Sequence, residues 1–386
     1  VDYATKSRRG GLPKMVLIGD IVGENDEAVA RATAHVVRLA NQRSGEGFTA
    51  VSAQSRKAFW SERSRTAAIA RHTNAFKINE DVVIPLPRMA EYTDGIEHLN
   101  IELSGRNKLR MLERVRQALA CDWSLAPVDE SERDDEQAQQ AMITERREAA
   151  LELLDQVRER WTFLLGRLDS PIVQVLPLFE SYGLAEAVPA AERIMAASDD
   201  ATLFRLLQDR SIRVSWKREV REKLAPILGG QRFAPVLAMV DKTHQTVLHS
   251  RVFIALHMHA GDGNVHTNIP VNSDDYQMLK EAEEAVRRVM ALARSLNGVI
   301  SGEHGIGITK LEFLVEAEIE PFRQYKKRVD PKNHFNAGKL MAGGDLRNAW
   351  TPSFGLMGAE SLILQASDLG DIDDSVKNCL RCGKCK

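Results

Sequence analysis

The stretch HMHAGDGNVHTNI, residues 257–269, constrains the fold of this chain more than any other. Gly261 and Gly263 open backbone angles closed to other residues, and Asn264 tolerates those angles best of the rest. Strand-forming runs flank it, RVFIALHMH (251–259) and NVHTNIPV (264–271). AGDGN is therefore expected to be a tight reversal between two strands, which returns His266 toward His259. His257, two residues before His259, shares its strand face. The chain has ten histidines in 386 residues, so three around one turn are a concentration that asks for a chemical reason. Neutral imidazole is the commonest metal ligand among side chains, but two imidazoles leave a divalent ion short of its usual four ligands. His257 is either a third ligand or a neighbour that orients the other two.

A better third ligand stands in SGEHGIGITK (301–310). Glu303 and His304 are flanked by Gly302, Gly305 and Gly307, and glycine at such density marks close backbone approach to a ligand. Two histidines and one carboxylate with an open position compose a catalytic metal site. His304 is then left over as an acid or base. Taken singly, a strand histidine is most often a packed core residue and a glycine-rich GEHGIG most often a turn. The segment is not a dinucleotide fingerprint, because the G-x-G-x-x-G spacing after a strand is missing, and no phosphate-binding P-loop occurs.

The rest of the chain supplies the frame. PKMVLIGDIV (13–22) and GFTAVSAQ (47–54) read as strands. Residues 25–43 read as a helix capped by Asn25, and residues 55–72 as a helix capped by Ser55. EDVVIP (80–85) is extended ahead of its prolines, and residues 88–120 return to helix. Strands alternating with amphipathic helices indicate an α+β or α/β sandwich. Residues 121–245 read as a helical insertion: Leu154, Val157, Trp161, Leu164 and Leu168 recur at spacings of three and four, so one face is apolar. Breaks are expected near Pro171, Gly183 and GGQ (229–231), and another helix from Ser273 to Leu296. Residues 342–378 read as a linker.

A net charge of −2 points away from nucleic acid, and no apolar run is long enough to span a bilayer. Cys379, Cys382 and Cys385 close the chain at C-x2-C-x2-C spacing, which suggests metal thiolates and a reducing compartment, the cytoplasm by default. The spacing matches the start of a C-x2-C-x2-C-x3-C-P iron–sulfur run.

Taken together, HMHAGDGNVHTNI, GVISGEHGIGITK, VDPKNHFNAGKLM and FWSERSRTAAIARHTNAFKINEDVVIP resemble the C-terminal substrate domain of FAD-linked oxidases of the vanillyl-alcohol oxidase superfamily. That group includes D-lactate, glycolate and D-2-hydroxyglutarate dehydrogenases. The resemblance spans about 1–120 and 250–342 but not the helical middle. It implies an α+β fold, a ferredoxin-like antiparallel sheet with helices on one face plus the helical insertion. It implies a substrate domain in two parts, 1–120 and 246–342, an insertion at 121–245, and a linker with the start of an iron–sulfur domain at 343–386.

The resemblance also implies roles. His259, His266 and Glu303 match ligands of a divalent metal, zinc first among candidates, and His304 matches the base beside the flavin. Asn268, Arg63 and Lys77 match substrate contacts, the two cations holding a carboxylate. Gly305 and Asn336 match positions beside the cofactor, although Ala337 replaces the family's usual proline and Ala67 stands where some members have a threonine. The implied cofactors are FAD, bound mainly by a separate domain, the metal, and a 4Fe-4S cluster on Cys379, Cys382 and Cys385. The implied substrate is a small 2-hydroxy acid, with electrons passing through iron–sulfur centres to a quinone or another acceptor. The expected location is the cytoplasm, or peripherally the inner face of the membrane. Two other readings use the same residues: a metal-dependent hydrolase acting through a bound water, and an electron-transfer scaffold without catalysis.

Overall fold

The computed structural model describes residues 15–43, 45–66, 76–126, 136–272, 275–307, 310–335 and 340. Two compact units divide the chain between Thr73 and Asn74. The first holds two helices, α1 (Asp26–Gln42) and α2 (Ala53–Thr66). Asn25 caps α1 as expected, its side chain accepting from the Ala28 amide at 2.9 Å, with Asp26 and Glu27 in the first turn. Ser52, not Ser55, caps α2, since the Ser55 amide donates to Ser52 Oγ at 3.1 Å.

Two expected strands do not form. Residues 15–22 have no regular structure, and Met15, Leu17 and Val22 are 55%, 72% and 92% exposed. Residues 47–52 are likewise irregular, and 53–54 already belong to α2. Strand composition reports a fit to a half-buried pleated surface. These segments have the composition without a described ladder partner.

The second unit opens with β1 (Phe76–Val83) and a 32-residue helix, α3 (Met89–Ala120). Next come α4 (Glu136–Leu165), a series of short helical turns that includes α5 (Val188–Ala197), and α6 (Ala234–His249). The hairpin β2 (Ala255–His259) and β3 (Asn264–Val271) follows, then α7 (Tyr276–Ser295) and α8 (Glu316–Val329). Asp275 caps α7 through the Met278 amide at 2.9 Å. No described helix is long and apolar enough to cross a membrane.

The three strands form an antiparallel sheet in the order β1-β3-β2, with Asp81 opposite His266 and His266 opposite His257. The four-strand count of a ferredoxin-like sheet is not reached among the described residues. Residues 251–254 stay outside β2. There the Asn100 side chain takes both backbone groups of Ile254, each at 2.8 Å, in place of a strand partner. Period-two alternation splits the sheet, with Glu80 and Thr267 as a polar pair on the otherwise apolar face. Ile78, Val82, Val265, Ile269 and Val271 face a core built from α3 (Tyr92, Ile96, Leu99) and α7 (Ala282, Val286, Val289, Met290). Asn79, Asp81, Asn264, His266, Asn268, His257 and His259 occupy the alternate positions, so one face of the sheet is polar along all three strands.

The helical middle has cores of its own. Met111, Leu112, Val115 and Leu119 of α3 pack with Leu154, Val157 and Trp161 of α4 and with Val236 and Val240 of α6. The expected apolar stripe from Leu154 to Leu168 is buried throughout. A third cluster joins Phe163, Ile172, Phe179 and Leu203. The breaks fall at Pro171, at Gly183 (φ +64°) and at residues 229–231, as the sequence indicated.

In the hairpin turn only one of the two glycines is obligatory. Gly263 has φ +73°, and a Cβ there would lie 2.2 Å from the Ile84 carbonyl oxygen. Gly261 has open space and no left-handed angle, and Asn264 is already in β3. Gly263→Ala should therefore lose more than about 2 kcal/mol of stability, whereas Gly261→Ala should stay within about 0.5 kcal/mol of wild type. Urea unfolding of the two variants side by side checks the contrast.

Candidate metal and acid–base site

The polar face of the sheet gathers the residues that the sequence singled out. The hairpin returns His266 beside His259, with ring centroids 5.4 Å apart, and His257 lies 5.8 Å from His266. The third element arrives along the free edge of β1. Val83 and Val299 exchange two backbone hydrogen bonds, each 2.8 Å, and the chain then turns over the strand as residues 300–307. Gly302 makes the closest pass: a Cβ would meet Asn264 Oδ1 at 2.7 Å and Val83 Cγ2 at 2.9 Å. Gly305 and Gly307 take φ +76° and +53°. Glycine is thus needed in this segment for both reasons, approach and backbone angle.

That path brings Glu303 to the two histidines. Its carboxylate oxygens lie 3.3 Å from His259 Nε2 and 3.7 Å from His266 Nε2. One ligand atom from each residue can be chosen so that all lie within 4.8 Å of one another. Ligand atoms about 2 Å from a common ion lie roughly 3.3 Å apart around a tetrahedron, so the three fit one ion with little movement. The Asn264 amide holds the acid in place, donating to Glu303 Oε1 at 2.9 Å, while its own buried Oδ1 has no hydrogen-bond partner. Burial pushes the His266 imidazole below the usual histidine range, against the opposing pull of Glu303. It is therefore neutral at pH 7, the form that binds metal.

His304 sits beside this group, its ring centroid 5.0 Å from that of His266 and its Nδ1 3.6 Å from Asp81 Oδ1. Asn268 lies two residues beyond His266 on the same face, opposite Asn79, and donates to the Ala255 carbonyl at 3.3 Å. The Asn79 side-chain oxygen and the Ser301 hydroxyl are buried without a partner. Among the described residues no glycine-rich strand-to-helix turn offers a seat for a dinucleotide pyrophosphate.

The remaining expected residues are less completely placed. Arg63 lies on α2 in the first unit and Lys77 on β1 opposite Pro270, both with side chains outside the described residues. Asn336, Cys379, Cys382 and Cys385 also lie outside them. Gly305 is exposed on the loop beside His304.

Sequence reasoning missed Asp81 and Lys310, both fully buried. Lys310 Nζ donates to the Asp81 carbonyl at 2.8 Å and to Asp81 Oδ1. Asp81 Oδ2 accepts from the consecutive amides of Gly302, Glu303 and His304. Burial alone would raise the Asp81 pKa, but the Lys310 ammonium and the amides of Glu303 and His304 overcome it and hold the carboxyl well below the usual range. The signal in the sequence is a charged residue on each side of the site, one inside FKINEDVVIP and one closing GEHGIGITK, but only the folded structure shows that they meet.

The family described as "FAD linked oxidases, C-terminal domain" matches residues 13–104 and 233–340. A D-lactate dehydrogenase of Archaeoglobus fulgidus is 33% identical over 193 residues, covering 47% of this chain and 41% of that protein. A D-2-hydroxyglutarate dehydrogenase of Stutzerimonas stutzeri is 37% identical over 90 residues, 22% of this chain and 19% of the relative. Glycolate oxidase subunit GlcD of Bacillus subtilis is 35% identical over 88 residues, again 22% and 19%. The chain thus spans less than half the length of these relatives. No solved structure matches. The two matched segments cover more than half of the chain and carry β1, the histidine hairpin and the Glu303 loop, and the chain belongs to the FAD-linked oxidases through their C-terminal domain.

Proposed function

We propose that this chain holds substrate and metal in an FAD-dependent D-2-hydroxyacid dehydrogenase of the lactate, glycolate or 2-hydroxyglutarate class. One observation carries the reading: His259, His266 and Glu303 converge on a space that one ion can fill, with His304 beside it. Those three residues would hold a divalent ion, zinc in the first instance, through two imidazoles and a carboxylate with a position left for substrate. When bound, the ion lowers the pKa of the substrate's 2-hydroxyl and the flavin accepts the electrons that leave C2.

The chain's own residues do the rest. His304 takes the hydroxyl proton, a role typically worth about 10²–10⁴-fold. Asn268 offers its amide from the same sheet face, and Arg63 and Lys77 pair with the carboxylate so that the C2–H bond is aimed. Gly305 and Asn336 would contact the flavin, whose binding rests mainly on a domain outside this match. In this reading the substrate domain is ferredoxin-like and comprises residues 1–120 and 246–342 around an insertion at 121–245; the antiparallel order β1-β3-β2 with helices on its apolar side supports the part from Phe76 onward. In the same reading, residues 343–386 lead into an iron–sulfur domain. Cys379, Cys382 and Cys385 would supply three of the four thiolates of a 4Fe-4S cluster there, and electrons pass to a quinone or another acceptor, in the cytoplasm or at the inner face of the membrane.

Zinc titration of the chain with Cys379, Cys382 and Cys385 replaced by serine should give one site, and His266→Ala should weaken it by at least about 100-fold; an unchanged affinity removes the metal from the proposal. Acidification tests the same group. Because burial holds its folded pKa below the unfolded value, His266 contributes stability that is present above about pH 6.5 and lost as pH falls further. The metal-free chain should lose stability as pH falls below about 6.5, and His266→Asn should flatten that slope in urea unfolding. In the longer flavoprotein, a screen of D-2-hydroxy acids read by flavin bleaching identifies the substrate. His304→Ala should slow that bleaching by about 10²–10⁴-fold with zinc affinity retained. Full activity in that variant on every bleaching acid assigns the base elsewhere.

A further inference from the structure

Asp81 and Lys310 have no part in the chemistry proposed above, yet both are fully buried and both reach the loop that carries it. A buried ion pair is a poor source of stability, since apolar residues of similar volume often serve as well or better. This pair does something apolar residues cannot. Asp81 Oδ2 receives the amides of Gly302 at 2.8 Å, of Glu303, and of His304 at 3.2 Å. Its other oxygen and its carbonyl are taken by Lys310 Nζ, which also stands 3.6 Å from Glu80 Oε2. Three consecutive N–H groups converging on one anion fix a loop that has neither helix nor strand ladder and whose residues 302–305 are exposed. From that fixed backbone Glu303 extends to His259 and His266, and the His304 ring turns Nδ1 toward Asp81 Oδ1 at 3.6 Å.

We propose that Asp81, charge-compensated by Lys310, is the positioning residue of the site, setting the conformation of residues 302–304 and with it the aim of Glu303 and His304. The consequence for metal rests on the metal-site reading above; the anchoring of the loop does not. Asparagine at position 81 would fail in this role. Its single oxygen cannot serve both sets of donors, and its NH₂ must face either the ammonium or the amides, which are donors themselves.

Amide hydrogen exchange on the wild-type chain is the first test, and it needs no variant to fold. The Gly302 and Glu303 amides should exchange at least about 100-fold more slowly than an exposed loop allows; exchange at the free-loop rate overturns the proposal. The second test compares Asp81→Asn with the double variant Asp81→Asn, Lys310→Met, which removes the ammonium left unpaired by the single change and so keeps the chain folded. Far-UV circular dichroism and melting of the double variant should be close to wild type. Even so, its 302–304 amides should exchange at least about tenfold faster. With Cys379, Cys382 and Cys385 replaced by serine in both chains, its zinc affinity should fall about 10–100-fold, with an altered visible spectrum for bound Co²⁺. A folded double variant with wild-type exchange and affinity refutes the positioning role. Wild-type chain that takes up neither zinc nor Co²⁺ refutes the metal reading instead. In that case, faster exchange at 302–304 in the double variant still upholds the anchoring.

Discussion

The site depends on one register, the pairing of β1 with β3 that sets Asp81 opposite His266. Side chains in a strand alternate between faces, so a slip of one residue would carry Asp81 into the apolar layer and Ile78 out of it. The register is held from both sides. Ile78, Val82, Val265 and Ile269 are drawn into the core against α3 and α7. At the end of the strand the Ile84 amide reaches the Gly263 carbonyl at 2.8 Å, and Val83 pairs with Val299. The same hydrophobic burial that stabilises the sheet therefore decides which polar groups stand next to each other.

Much of the site was readable in the residues because its signals are local. Glycine, asparagine and two histidines within ten positions force a hairpin whose arms return the imidazoles to each other. Glu303 could be matched to them because glycines on either side marked a close backbone pass, which Gly302 makes. Asp81 and Lys310 were not legible in that way. They are 229 positions apart, and neither has a spacing that announces the other.

The strands expected at 13–22 and 47–54 show the converse limit. Val16, Leu17 and Ile18 have the composition of a buried strand, but a strand exists only where a ladder and a covering layer accept it, and both are tertiary facts. The region 251–254 makes the same point on a smaller scale. Its backbone is satisfied by the side chain of Asn100, 154 positions away, so β2 starts later than its sequence suggests. Helices were easier, because an apolar stripe such as Leu154 to Leu168 and a cap such as Asn25 lie within the element they define.

The helix α3 belongs to two cores at once, the sheet layer through Tyr92, Ile96 and Leu99 and the helical body from Met111 onward. At 32 residues it is a rod roughly 48 Å long. The join between the sheet layer and the helical body thus runs through the middle of a helix instead of a loop. Cutting the helical body away would halve that rod and lay bare the apolar side of α3 from Met111 onward.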